Sequence, residues 1–125
     1  MLKIRRDQDA AMLAEVRLNF EDRVHAYVTE HWSEWAQSAG EEPTREFIRS
    51  TIDRAESHGV TIEADVVKYL EVAILLGGGF DESGAYPWAQ RILRSRETDA
   101  TIKVTQLRHW ALKELEPTQT EGDGE

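Results

Sequence analysis

The stretch LLGGGFDESGAYPWAQRIL, residues Leu75–Leu93, decides how the chain is organised, because three consecutive glycines close an apolar run. A phosphate-binding P-loop requires a preceding strand and a following Gly-Lys-Ser/Thr, whose lysine and hydroxyl bind phosphate and metal. Here Asp81 and Glu82 follow instead, and their carboxylates would repel a phosphate. The glycines therefore indicate the end of one helix, and Pro87 indicates the beginning of the next.

The residues before the glycines predict the central helix of the fold. Thr61 is expected to cap this helix, which extends to about Leu76. From Val66 to Leu76 only Lys68 and Glu71 are polar. Because a helix that is apolar nearly all round is contacted on several sides, we expect it in the middle of the core. The side chains expected to be almost fully buried are Leu70, Ala73, Ile74, Phe20, Val24, Ile52, Trp88 and Leu107.

The long segment from about Asp7 to Gln37 has the periodicity of an amphipathic helix. On a wheel of about 100° per residue, its apolar side chains lie within about 60° of Phe20 and form one stripe. Asp7 is expected to accept hydrogen bonds from the free amides of the first turn, and the helix should end before Gly40. The stripe comprises Leu13, Val16, Phe20, Val24, Tyr27, His31 and Trp35.

The second helix is indicated at both of its ends. Pro43 follows two glutamates, and this combination suits a first turn, where proline loses no hydrogen bond and carboxylates favour the positive end of the helix dipole. Gly59 is expected to end the helix in a left-handed conformation, which lets Val60 pack back onto it.

Two further helices complete an all-α fold. Pro87 begins a short fourth helix, and a fifth extends from about Thr98 or Asp99 to Glu116. We therefore predict a compact single-domain bundle of four to five helices over residues 1–116, arranged around the helix at about 61–76. Residues 117–125 are acidic and lack apolar anchors, so we expect a disordered tail. The apolar face of the fifth helix comprises Ala100, Val104, Leu107, Trp110 and Ala111.

Composition and charge narrow the classes of function. The 125 residues contain 15 Lys and Arg against 24 Asp and Glu, a net charge of -9, and no cysteine. Such a field repels nucleic acid and anionic membranes, so neither is an expected partner, whereas a basic protein is. We find no signal peptide and no apolar run of the ~18 residues that a membrane span requires, and we expect a cytoplasmic protein.

The candidate chemical groups form no recognisable catalytic pattern. The four histidines lack the spacing of a zinc site, and no cofactor or metal site is predicted. Adjacent carboxylates such as Asp81 and Glu82 are not specific in so acidic a chain. His31 lies on an apolar stripe between Tyr27 and Trp35, which leaves two interpretations open. It is a core-edge histidine with one hydrogen bond, or it belongs to a small helical enzyme or ligand-binding bundle.

Apolar side chains outside the core faces suggest a protein-binding surface. On the fifth helix, Ile102 and Leu112 point about 140° away from Leu107 on either side, flanking His109. On the first helix, Trp32 lies about 120° off the stripe. These side chains are ordinary exposed hydrophobic residues, or they contact a second copy of the chain or another protein.

The segment ESHGVTIEADVVKYLEVAILLGGGFDESGAYPWAQRIL, residues 56–93, resembles a family of small all-helical bacterial proteins encoded beside type VI secretion effector and toxin genes, and the long first helix resembles it more loosely. The pattern that carries the resemblance is Gly59-Val60, a Thr-led apolar helix, Gly-x-x-Phe-Asp and Pro-Trp-Ala. The resemblance implies a non-enzymatic accessory role. The protein would be an adaptor or chaperone for an effector, or an immunity protein that neutralises a toxin. It implies no catalytic residue.

Overall fold

The part of the chain that the computed structural model describes, backbone 2–115 and side chains 16–115, is all-α, as predicted. Between residues 2 and 115 there is no strand. None of the helices in this part is long and apolar enough to cross a membrane. The six helices are α1 (Leu2–His31), α2 (Ser33–Ala39), α3 (Glu41–Ser57), α4 (Glu63–Leu76), α5 (Pro87–Arg94) and α6 (Ala100–Glu114).

These helices belong to two compact units, the first ending at Ser50 and the second beginning at Thr51. Helix α3 contributes its first ten residues to the first unit and its last seven to the second. A single domain over residues 1–116 therefore remains a prediction. The predicted disordered tail, 117–125, lies outside the described residues.

The predicted first helix is in fact two helices. Helix α1 begins at Leu2, so Asp7 lies inside it and does not cap it. Trp32 then leaves helical geometry, with φ -130° and ψ 46°. Its amide still donates to the Val28 carbonyl over 2.8 Å, and its carbonyl accepts from the Ala36 amide over 2.9 Å. Because both bonds keep the i, i+4 spacing of a helix, the hydrophobic period contains no sign of the break.

The predicted stripe of the first unit is buried only in its middle. Phe20 and Val24 are buried as predicted, together with Val28. Val16 is exposed and the side chain of His31 is 52% exposed, whereas Trp35, the last residue of the stripe, is half-buried and packs edge-on against Phe47. The stripe extends beyond the length of helix that neighbouring elements cover, which periodicity alone does not reveal.

Helix α4 forms the core of the second unit and packs along α6. Leu70 and Ala73 are each 1% exposed, and Ile52 and Leu107 are buried with them. The predictions for Ile74 and Trp88 are wrong. Both are half-buried, because Ile74 lies in the last turn of α4 and Trp88 in the first turn of the short α5, where fewer neighbours surround a side chain.

The glycines end two helices as expected. Gly59 has φ 81°, and the buried Val60 donates its amide to the Ala55 carbonyl over 2.9 Å. Gly77 has φ 109° and donates to Ala73 over 2.8 Å. These left-handed φ values disfavour any side chain. The cap predicted at Thr61 is one residue early, since Ile62 has extended backbone and α4 begins at Glu63 without a side-chain cap.

We expect Leu70→Ala to lower the free energy of unfolding by about 2–5 kcal/mol, through lost burial and the cavity left behind. Chemical denaturation followed by circular dichroism measures this. Leu112→Ala is the matched control, because it removes the same atoms from a side chain that is 48% exposed, and it should change stability by less than about 1 kcal/mol. Equal effects of the two substitutions would contradict the central position of α4.

Candidate functional site

The orientation of α6 is set by polar contacts near its beginning. The Asp99 carboxylate accepts from the Ile102 amide over 2.9 Å and caps the helix. Thr101 donates from its hydroxyl to the buried Asp65 of α4 over 2.6 Å. Lys103 donates to the Leu93 carbonyl at the end of α5 over 3.1 Å. The last two bonds join α6 to α4 and to α5, and they restrict which of its faces is buried.

Helix α6 consequently has one buried face and one exposed apolar face. Val104, Leu107 and Ala111 are fully buried against the second unit. Ile102 is 45% exposed and Leu112 is 48% exposed. We call Ile102, His109 and Leu112 the outer face of α6. It lies where the sequence places it, and whether it binds a partner remains a prediction.

A shallow groove adjoins the outer face. It has a volume of about 260 Å³ and is lined by His109 and Leu112 with Thr105, Arg108 and Lys68. Arg108 is held in place by the Glu71 carboxylate, 3.5 Å from its Nε. Ile102 lies just under one turn before Thr105 on the same helix and does not line the groove. The groove therefore combines one aliphatic side chain with cationic and hydroxyl groups.

Trp32, the other predicted contact residue, belongs to the first unit. It is half-buried at the break between α1 and α2. The two units are described separately, so a surface shared by Trp32 and the outer face remains a prediction.

Sequence reasoning missed a second groove, between α5 and α6. It is lined by Trp88, Ile92 and Trp110, with Arg91, Lys113 and Glu114, and has a volume of about 680 Å³. The placement of Trp110 on the buried face of α6 is therefore wrong, since this side chain is 50% exposed. The sequence does contain a signal for this groove. Trp88-x-x-Arg91 and Trp110-x-x-Lys113 each place a cation one helical turn after an indole.

The sequence shows Asp81 as one of two adjacent carboxylates, but it does not predict the burial or the partners of this side chain. The Asp81 side chain is 3% exposed, accepts from Arg54 Nη1 over 2.6 Å and lies 2.9 Å from His58 Nε2. Because an ionised carboxylate only accepts, His58 donates through Nε2. Burial by itself raises the pKa of Asp81, but the hydrogen bonds from His58 and Arg54 outweigh it and hold that pKa below its ordinary value.

The Asp81 cluster stabilises the fold by tying the end of α3 to the turn that follows α4. Tyr69 of α4 packs beside it, with ring centroids 5.1 Å from Phe80 and 6.1 Å from His58. Burial, followed by the nearby Asp81 carboxylate, raises the pKa of Tyr69. The Asp81 carboxylate is thus already paired with Arg54 and His58 of the same protein, which favours a structural role.

The histidines do not form a metal site in the described part of the chain. Among side chains 16–115, no three His, Cys, Asp or Glu residues are placed to hold a metal ion. His31 packs on the Tyr27 ring with centroids 4.4 Å apart, and its Nε2 lies 3.9 Å from the Glu30 carboxylate. Glu30 is itself exposed, and both neighbours lie on the same helix as His31.

Comparison with protein-family models, with curated proteins and with solved structures finds no match to this chain.

We expect Asp81→Asn to lower the free energy of unfolding at pH 7 by about 1.5–3 kcal/mol, because the charged hydrogen bonds to Arg54 and His58 are weakened. The folded-state pKa of Asp81 lies below its ordinary value of 3.8. Its stabilisation is therefore present above that value and is lost as the pH falls through the folded-state pKa. The difference between wild type and variant should shrink below about pH 4.

Urea denaturation at a series of pH values tests this, with Glu82→Gln as control. Glu82 is the neighbouring carboxylate, 3.6 Å from Arg54 but 77% exposed, so its substitution should change stability by less than about 1 kcal/mol. A stability difference for Asp81→Asn that persists unchanged at pH 3 would contradict the role of the ionised carboxylate.

Proposed function

We propose that this chain is a non-enzymatic protein-binding module and that the outer face of α6 contacts its partner. The observation that carries the proposal is the exposure of Ile102 and Leu112, on a helix whose opposite face is already buried. Packing of the second unit thus explains Val104, Leu107 and Ala111, but it does not explain these two side chains. A partner that covers them would remove apolar area from water, which is the main driving force of association.

The size of this contribution suits one part of a larger contact. Complete burial of Ile102 and Leu112 would contribute roughly 1.5–3 kcal/mol each before the loss of side-chain freedom is subtracted. Both side chains are already about half-covered, so the gain on binding is smaller. His109 stacks edge-on against Trp110 with centroids 5.2 Å apart, and it lines the same groove as Leu112. Such preordered rings lose little freedom on binding.

The resemblance described above suggests the biological setting of this module. Within a type VI secretion or toxin locus, it would act in the cytoplasm as an adaptor or chaperone for an effector, or as an immunity protein. The net charge of -9 supports a basic protein partner in either role. An immunity protein would bind the toxin domain itself, whereas an adaptor would bind a region of the effector outside that domain.

The alternative, a helical enzyme or ligand-binding bundle that uses His31, has less support. The side chain of His31 is half-exposed, and the polar group near it, Glu30, is exposed on the same helix. A general base is normally oriented by a second group that is itself held in place.

We expect the double variant Ile102→Asp, Leu112→Asp to remain folded and to lose affinity for the partner by at least about tenfold. The partner is sought by co-purification with the products of neighbouring genes, each expressed whole and as separate domains. Circular dichroism checks that helicity is unchanged, and isothermal calorimetry measures the affinity. If this chain retains the toxin domain of the partner, the immunity role is supported. If it retains a region outside that domain, the adaptor role is supported.

The matched control is Val16→Asp, Leu18→Asp, which adds the same two charges and replaces two exposed aliphatic side chains of α1. It should bind the partner like the wild type. If the α6 variant folds and binds every partner with wild-type affinity, the outer face is not the contact surface. If it unfolds, the outer face belongs to the core.

A further inference from the structure

The charge of this acidic chain is unevenly distributed. Residues 87–114, which include α5 and α6, contain six Lys or Arg and three Asp or Glu, a net charge of +3 in a chain of -9. Part of this excess complements the helix dipoles, since Arg91, Arg94 and Lys113 lie in last turns. The dipoles do not explain why two of these cations line the same groove as two indoles.

The groove between α5 and α6 is lined by both apolar and cationic side chains. Trp88 and Ile92 of α5 face it with Trp110 of α6. Tyr86 stacks edge-on against Trp88, with centroids 5.9 Å apart, and so supports one wall. The volume of about 680 Å³ is sufficient for two or three large side chains of another molecule.

The two cations of the groove have no carboxylate partner within the described residues. Arg54 and Arg108 of the same unit each lie against a buried or half-buried carboxylate. Arg91 and Lys113, by contrast, form no ion pair with any side chain between residues 16 and 115, and both are exposed. The one acid that lines the groove, Glu114, leaves its lining with a net charge of +1.

We propose that the groove between α5 and α6 binds an acidic segment of a partner protein that carries aromatic or aliphatic side chains. The apolar side chains of that segment would lie against the two indoles, and its carboxylates would pair with Arg91 and Lys113. Tryptophan and arginine are enriched among the hot-spot residues that contribute most of the binding energy in protein interfaces. This surface adjoins the outer face of α6, because His109 stacks against Trp110, but it does not depend on the function proposed for that face.

Charge separates an acidic peptide from the other polyanion that indoles and cations can bind, single-stranded nucleic acid. Affinity for nucleic acid depends on many phosphate contacts along a cationic groove. Two unpaired cations in a chain of net charge -9 are too few for that, because a long polyanion would meet the negative remainder of the surface. A short segment with two or three carboxylates needs only the local positive charge.

The test uses the full chain, labelled with ¹⁵N, and two synthetic amphipathic peptides of about 12 residues. The peptides share the same leucine and phenylalanine positions, and their other positions are all glutamate in one and all lysine in the other. We expect the glutamate peptide to shift the amide resonances of residues 88–92 and 110–114 saturably. The lysine peptide should not shift these resonances, and added salt should lower the affinity for the glutamate peptide.

Two variants locate the effect. The double variant Arg91→Glu, Lys113→Glu should lower the affinity for the glutamate peptide by about tenfold or more. It should also allow the lysine peptide to bind the groove. The matched control, Arg94→Glu with Arg96→Glu, makes the same charge change at two exposed positions that do not line the groove, and should bind like the wild type. Trp110→Ala should also lower the affinity for the glutamate peptide by about tenfold, because it removes one of the two indoles of the groove.

The Ile102→Ser, Leu112→Ser variant, which adds no charge beside Lys113, should bind the glutamate peptide unchanged, so that failure of one surface is distinguishable from failure of the other. Three results would overturn the proposal. These are no saturable shift with the glutamate peptide, an equal loss in the Arg94→Glu, Arg96→Glu control, and tighter binding of a twelve-residue oligothymidylate to the same groove. The charge-reversal variant keeps the test decisive if Trp110→Ala fails to fold.

Discussion

The packing of α6 along α4 is the contact on which the second unit depends. Helix α4 is apolar over most of its circumference, so it is stable only where neighbours cover it on several sides. The buried face of α6 covers one side of α4. This face consists of Val104, Leu107 and Ala111, all fully buried. Rotation of α6 about its axis is restricted by the bond from Thr101 to Asp65, whose carboxylate is itself buried. A buried carboxylate must keep its hydrogen-bond partner, so this bond specifies the register of the pair.

Once α6 is oriented, its remaining surfaces are determined as well. The face opposite Leu107 carries Ile102 and Leu112 into solvent, and the side next to α5 carries Trp110 into the groove. The two candidate binding surfaces are therefore consequences of one helix with more apolar residues than a single neighbour can cover. They differ in chemistry, because the outer face combines aliphatic groups with His109, whereas the groove combines indoles with unpaired cations.

The ends of α3 and α4 are held by a different kind of interaction. Gly59 and Gly77 adopt left-handed conformations and release the chain from each helix. The Asp81 carboxylate then joins the two ends, through Arg54 of α3 and His58 just after it. Burial of the ionised Asp81 carboxylate is unfavourable, but its hydrogen bonds with Arg54 and His58 outweigh this cost. The pKa of Asp81 is therefore lowered although its side chain is almost inaccessible to solvent. This geometry supports a structural role for Asp81.

Local sequence was sufficient for the helical class, for the ends of α3 and α4 at Gly59 and Gly77, and for the burial of Leu70. These features depend on a residue and its near neighbours, through periodicity, backbone conformation and capping. The outer face of α6 was also predictable, since five residues at the α-helical period place Ile102 and Leu112 about 140° from Leu107. Tertiary structure decided what periodicity cannot express: the length of a stripe that neighbours cover, the exposure of Trp110, and the pairing of Asp81 with His58. The break at Trp32 was hidden because its hydrogen bonds keep helical spacing, and the groove beside Trp88 exists only where two helices meet.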